Sequence, residues 1–127
     1  MKTTIAFKRF INNDPFQRKE ISFYSSGAKS WFLNGKLHRE DGPTIEYSDG
    51  AKSWYLNGKL HREDGPAIEW NDGTKEWYLN GKRHREDGPA HIGRDGSKEW
   101  YLEGKEYRYE KEYWEVLEKY KREKNIK

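Results

Sequence analysis

Cysteine is absent from this chain, which excludes disulfide staples and thiol chemistry. Long apolar runs are absent too. No stretch approaches the ~20 residues that span a bilayer, and the segment Met1–Phe10 holds no apolar core of signal-peptide length. The expectation is a soluble, cytoplasmic protein without a membrane role. Aliphatic residues are scarce: Leu, Ile, Val and Phe together supply 20 of the 127 residues, a share that in isolation points to disorder. A strong charge of one sign is also missing, since the net charge is only +3, so self-repulsion does not hold the chain open. Bases and acids interleave along residues 28–96, which leaves no basic stripe for a long nucleic acid. Only residues 1–27 lean basic, with five bases against two acids.

What replaces the aliphatics is aromatic. The chain has 6 Trp, 9 Tyr and 5 Phe, and each aromatic can bury roughly 150–250 Å². Their placement is periodic. Trp31, Trp54, Trp77 and Trp100 stand 23 residues apart, and the stretch Trp-Tyr-Leu-Asn-Gly-Lys-Leu-His-Arg-Glu-Asp-Gly-Pro of residues 54–66 recurs almost unchanged at 31–43 and 77–89. A fixed period of this length marks stacked supersecondary units. Three segments follow: an N-terminal β cap over 1–27, 23-residue repeats over 28–106, and an amphipathic helix over 107–127.

Local chemistry specifies the unit. Asn57-Gly58 between two apolar triplets is the signal of a two-residue hairpin with φ > 0 at both loop positions. Glu63-Asp-Gly-Pro66 is a second turn, and Asp72-Gly73 turns the chain into the next tryptophan strand. Counting outward from Asn80-Gly81 pairs Leu79 with Lys82, Tyr78 with Arg83, Trp77 with His84, Glu76 with Arg85 and Lys75 with Glu86; the second copy likewise pairs Lys52 with Glu63. Taking Asp72-Gly73 as another two-residue turn pairs Ile68 with Trp77 and Trp70 with Lys75. This register gathers Ile68, Trp70, Trp77, Leu79 and His84 on one face. In the third copy His91 and Gly93 stand where Ile68 and Trp70 stand in the second, so either a bulge shifts the strand or the aromatic face has a gap beside Trp100. In the cap, Thr4–Ile11 and Lys19–Ser25 read as strands around an Asn12–Pro15 turn. Tyr109, Tyr113, Val116, Leu117 and Tyr120 recur at helical spacing, with Trp114 widening the stripe. The fold class is mainly β: an elongated single-layer antiparallel meander of β-hairpin repeats with a C-terminal α-helical cap.

The Trp-x-x-Asn-Gly-Lys-x-His pattern, followed by Asp-Gly near position 18 of each 23-residue unit, resembles MORN repeats, closest to a divergent bacterial and phage variety. The resemblance covers roughly residues 20–105. It differs in carrying Arg39, Arg62 and Arg85 where the MORN pattern usually has Gly after the His. It implies a curved single-layer sheet used as a scaffold for protein, lipid or self-association, with antitoxin and immunity components among bacterial relatives and no enzymatic site.

Candidate chemistry is weighed on the same repeats. His38, His61 and His84 with nearby acids suggest metal binding or proton transfer, but a feature stamped into every unit reads as structural. The Arg-Glu-Asp triplets set paired carboxylates beside a base, as acid–base work would need, but they sit in a tight turn and read as structural or solvated. No Gly-rich run precedes a helix, so no phosphate loop is expected. The aromatic face is the functional candidate: Trp31, Trp54, Trp70, Trp77, Trp100, His84, His91 and Gly93. No metal and no cofactor are expected. Because a single-layer sheet cannot bury both faces, something covers one of them: the C-terminal helix, a second copy in a homo-oligomer, or a protein partner. The expected function is non-enzymatic protein binding, as a phage- or bacteria-encoded inhibitor or immunity-type factor. The alternative is a small-ligand or nucleotide-binding oligomer built on Trp77, His91, Gly93 and Trp100.

Overall fold

The computed structural model describes residues 5–12 and 14–125. Thr4 of the first expected strand, Asn13 of the expected turn and positions 126–127 of the expected helical segment lie outside the described residues, as do positions 1–3 of the cap. The described chain is an antiparallel meander followed by one helix. Its strands are β1 (Ile5–Phe10), β2 (Lys19–Tyr24), β3 (Lys29–Leu33), β4 (Lys36–Leu37), β5 (Ile45–Glu46), β6 (Lys52–Ser53), β7 (Tyr55–Leu56), β8 (Lys59–Leu60), β9 (Ile68–Glu69), β10 (Lys75–Glu76), β11 (Tyr78–Leu79), β12 (Lys82–Arg83), β13 (His91–Ile92), β14 (Lys98–Leu102) and β15 (Lys105–Tyr107). The helix α1 spans Glu110–Asn125. The main sheet runs β1-β2-β3-β5-β6-β9-β10-β13-β14-β15, with β4 on β3 and the pairs β7-β8 and β11-β12 beside it. Among the described residues, no helix is long and apolar enough to cross a membrane.

The Asn-Gly turns form as expected. Asn34, Asn57 and Asn80 take φ of 50–51° and the glycine after each has φ of 80–81°, so Tyr78 pairs with Arg83 and Leu79 with Lys82. Beyond Trp77 the expected pairing stops. The Trp77 C=O accepts from His84 N, but its N–H donates to Ala90 O, and Glu76 pairs with His91 and Lys75 with Ile92. Glu76–Arg85 and Lys75–Glu86 therefore do not face each other, and Lys52 pairs with Glu46 and Glu69 rather than Glu63. The intervening Arg85–Pro89 segment is looped out of the ladder. Proline has no N–H to give a sheet, and Arg85 Nη1 closes the loop by donating to Pro89 O at 2.9 Å.

The Asp-Gly turns correct the expected register. Trp70 N donates to Thr74 O and Gly73 N to Trp70 O. Asp72 Oδ1 accepts from Thr74 N at 2.8 Å, and Gly73 has φ of 95°. This is a three-residue loop closed by a left-handed glycine. Ile68 consequently pairs with Glu76 and Glu69 with Lys75, one residue away from the expected Ile68–Trp77 and Trp70–Lys75. A slip of one residue moves side chains to the other face, so Ile68 and Trp70 lie opposite Trp77. The Trp77 side carries a cross-strand row of alternating charge, Lys29, Glu46, Lys52, Glu69 and Lys75. Opposite-charge neighbours of this kind each contribute roughly 0.2–1 kcal/mol. In the third copy β13 keeps the register of the earlier copies, so His91 and Gly93 mark a side-chain gap rather than a bulge, and the gap is on the Trp70 side.

At the C-terminal end Leu102, Tyr107, Tyr113 and Leu117 form the buried core, with Trp100, Val116 and Tyr120 packed against it. Tyr107 belongs to β15 and the helix starts three residues later than the periodicity suggests. Tyr109 and Trp114 are solvent-facing. Glu110 and Glu112 occupy the first turn and Arg122 and Lys124 the last, a charge order that suits the helix dipole.

Candidate interaction surface

The tryptophan side is a row of grooves separated by the looped-out turns. Each turn is held by its arginine. Arg39, Arg62 and Arg85 lie with their guanidinium carbons 3.8, 3.8 and 3.9 Å from the ring centroids of Trp31, Trp54 and Trp77, a cation–π stack. Their Nε groups donate to Asp41, Asp64 and Asp87 at 3.0, 3.1 and 2.8 Å. That bond and the Arg39 charge hold the Asp41 carboxyl below its usual range. Arg39 and Arg62 also reach Glu46 and Glu69 at 3.2 and 3.1 Å. Ile92 stands at the corresponding place for Arg85. Glycine lets each guanidinium lie close over the turn: a Cβ on Gly42, Gly65 or Gly88 would sit 2.9–3.0 Å from the arginine carbon and push the guanidinium off its place. The arginines that depart from the MORN pattern are thus the residues that build the turn.

The histidines join one unit to the next. His38, His61 and His84 accept through Nδ1 from the backbone N–H of Asn57, Asn80 and Glu103 at 3.0, 2.9 and 2.8 Å. A neutral ring then carries its proton on Nε2, which faces Glu40, Glu63 and Glu86 at 3.3, 3.6 and 2.7 Å. Nδ1 is committed to the backbone in all three rings, and Nε2 is also hydrogen-bonded in His38 and His84, a structural use of the rings. Among the described residues no three His, Asp or Glu side chains converge to hold a metal ion.

Between the turns lie three grooves. The first, 320 Å³, is lined by Trp31, Leu33 and His38; the second, 620 Å³, by Trp54, Leu56 and His61; the third, 580 Å³, by Trp77, Leu79 and His84. The second and third are walled on their other side by Gly42 and Gly65 of the preceding turns. The exposed rims are acidic, with Glu40, Asp41, Glu63 and Asp64 carrying side-chain exposures of 81–87%. The equivalent fourth groove, at Trp100 and Leu102, is filled by α1. Fully buried Tyr113 donates its hydroxyl to Arg85 O and accepts from Gly88 N at 3.4 Å. Burial pushes the Tyr113 phenol up to about 12. Tyr120 packs on the His84 ring at 5.6 Å.

Of the sequence-predicted site residues, Trp31, Trp54, Trp77, Trp100 and His84 come together on the grooved side. His84 is only 3% exposed. Trp100 lies under α1, and its buried Nε1 lacks a hydrogen-bond partner among the described residues. Trp70, His91 and Gly93 lie on the other face. Trp70 is 47% exposed and donates Nε1 to Glu76 at 2.6 Å. The grouping of Trp77 and Trp100 with His91 and Gly93 is not formed.

That second face holds a network of which the hairpin count supplies the Tyr78–Arg83 pair but not the bonds to Glu76 and Tyr101. Arg83 donates to Glu76 at 2.8 Å, to Tyr78 OH at 3.0 Å and to Tyr101 OH at 3.2 Å, and lies 3.6 Å from Glu99. Burial disfavours the charged guanidinium, but the bonds it donates to Tyr78, Tyr101 and Glu76 outweigh that and raise the Arg83 pKa. The signal was available by aligning copies: Glu76 and Glu99 stand where Ser30 and Ser53 stand, and Arg83 where Leu37 and Leu60 stand. No family model, curated protein or solved structure matches this chain.

Proposed function

We propose that this chain is a non-enzymatic scaffold that binds another protein through its grooved face, acting in the cytoplasm as an inhibitor or immunity-type factor of phage or bacterial origin. The observation that carries the binding role is the row of grooves at Trp31, Trp54 and Trp77, each floored by Trp, Leu and His between charged turns. Trp and Arg dominate interface hot spots, and a partly desolvated aromatic floor inside a polar rim is the arrangement in which they contribute most. Nδ1 of each of these histidines is committed to a backbone N–H, a structural use that supports binding rather than catalysis. The mechanism is steric: a pre-organised ribbon docks on its partner and covers the partner's working surface. The cytoplasmic placement rests on the cysteine-free composition, and the phage or bacterial origin on the MORN resemblance.

The test is affinity capture from the native host with the tagged chain and with a Glu40→Lys, Glu63→Lys variant. These side chains are 81% and 83% exposed, so the fold should survive. A protein retained by the parent and lost from the variant, confirmed by direct titration of the purified pair, is the expected result. Identical capture profiles would overturn the reading.

A further inference from the structure

The chain supplies its own example of a groove occupant. Repeat translation by 23 residues relates Arg39, Arg62 and Arg85, and likewise Gly42, Gly65 and Gly88, Trp54, Trp77 and Trp100, and Leu56, Leu79 and Leu102. In the fourth groove the Gly88 N–H and Arg85 C=O are satisfied by the Tyr113 hydroxyl, and Leu102 is covered by Leu117. Among the described residues, no hydrogen bond reaches the Gly42 or Gly65 N–H or the Arg39 or Arg62 carbonyl of the equivalent grooves. We infer that the Trp54 and Trp77 grooves are docking sites for a basic amphipathic helix of a partner protein that presents Tyr-x-x-x-Leu. This names the partner class of the binding role proposed above and rests on that reading.

Three features select this occupant. A phenol reaches both orphan groups at once, donating to the carbonyl and accepting from the glycine N–H, which an aliphatic or carboxylate side chain cannot do. Tyrosine and leucine four residues apart share one helix face, as Tyr113 and Leu117 do in α1. The rims are acidic while the arginines are occupied by their tryptophans and carboxylates, so the helix must be basic. In α1, whose five bases balance five acids, the complement is confined to the C-terminal turns: Lys121 lines the Trp77 groove, and the Lys124 pKa is raised chiefly by Tyr120 and to a lesser extent by Glu103 and Glu86. A second copy of this chain is a poor occupant, because its own Tyr113 is already buried against its fourth groove.

The test uses the full chain, labelled with ¹⁵N, and a synthetic peptide of residues 107–127 as the stand-in helix. The expected result is movement of the Gly42 and Gly65 amide resonances, with saturation. A peptide carrying Tyr113→Phe should bind about tenfold more weakly, as loss of a paired hydroxyl implies, and one carrying Leu117→Asp should not bind. Gly42 and Gly65 resonances that stay still at millimolar peptide would overturn the inference, and so would a Tyr113→Phe peptide that binds as tightly as the parent. Movement confined to Gly88 would overturn it too, since the peptide would then only displace α1. These outcomes bear on the helix alone. The wider binding role fails separately, if charge reversal at Glu40 and Glu63 leaves the captured proteins unchanged.

Discussion

The second and third repeats share every turn and differ most on one face; on the other, Glu69 of the second becomes Ile92 of the third. Residues 51–73 and 74–96 both carry Asn-Gly, Arg-Glu-Asp-Gly-Pro and Asp-Gly in the same places. On the face opposite the grooves, the second repeat presents Ser53, Leu60 and Ile68, whereas the third presents Glu76, Arg83 and His91. The backbone is the same because the turn residues, the arginine stack and the histidine staple are the same. The sheet positions between them tolerate a change from apolar packing to a hydrogen-bonded ion network. Turn chemistry therefore holds the architecture, and the intervening face is free to acquire a second character.

The sharpest way to break this comparison is to unpair the network. Arg83→Leu leaves the buried Glu76 carboxylate without its cation and should cost about 3 kcal/mol, at the low end for a buried pair because Arg83 is partly exposed. Adding Glu76→Ser restores the second repeat's Ser–Leu pair and should bring the cost below about 1.5 kcal/mol. Urea denaturation of the single and double variants measures both. A double variant as unstable as the single would mean that the third repeat requires its network.

A second difference is that the third repeat leans on α1 and the second does not. Tyr113→Phe strands the Arg85 carbonyl and the Gly88 N–H and should cost about 2 kcal/mol. The folded pKa of Tyr113, about 12, lies above its ordinary value of 10.0, so folding favours the protonated phenol. That stability is present in full below about pH 10 and is lost as pH rises towards 12. Urea denaturation across this range should show the parent losing stability as pH rises, and Tyr113→Phe, which has no phenol to titrate there, should lack that part of the loss.

Where the repeats agree, equal effects are expected. Asn57→Ala and Asn80→Ala each force a non-glycine, non-asparagine residue into φ near 50° and should each cost about 1 kcal/mol. Thermal melts that differ by more than a few degrees between them would show that the shared turns are not equivalent. The smallest effect is a gain. His91 Nδ1 is buried without a partner among the described residues, so His91→Ile, which copies Ile45 and Ile68, should stabilise by about 0.5–1 kcal/mol in the same urea assay.

Legibility followed the range of the interactions. Asn-Gly hairpins and the Tyr113, Val116, Leu117 and Tyr120 stripe of α1 are local, and both were readable from residue type and period, whereas Tyr109 and Trp114, assigned to the same stripe, face solvent. Asp72-Gly73 was misread because the dipeptide serves two-residue and three-residue loops alike. Bonds made by Thr74 N–H to Asp72, and by Trp70 N–H to the Thr74 carbonyl, decide between them, and the one-residue slip exchanged the faces of Trp70 and Trp77. Looping-out of Arg85–Pro89 was hidden for a different reason: it depends on a guanidinium folding back over a tryptophan eight residues earlier. The grooved row of tryptophans was foreseen in outline. The Tyr113 bonds that define what a groove accepts were not, since nothing in a helical stripe says which hydroxyl meets which carbonyl 28 residues away.

Among the described residues the strands of each unit pair with those of adjacent units, so the ladder does not depend on how many units lie between its ends. A further cassette copied from residues 51–73 and spliced in after position 73 would find the same neighbours on both sides. It would lengthen the molecule by one groove and leave the cap and α1 untouched. Reach along a partner is therefore a quantity that duplication alone can adjust.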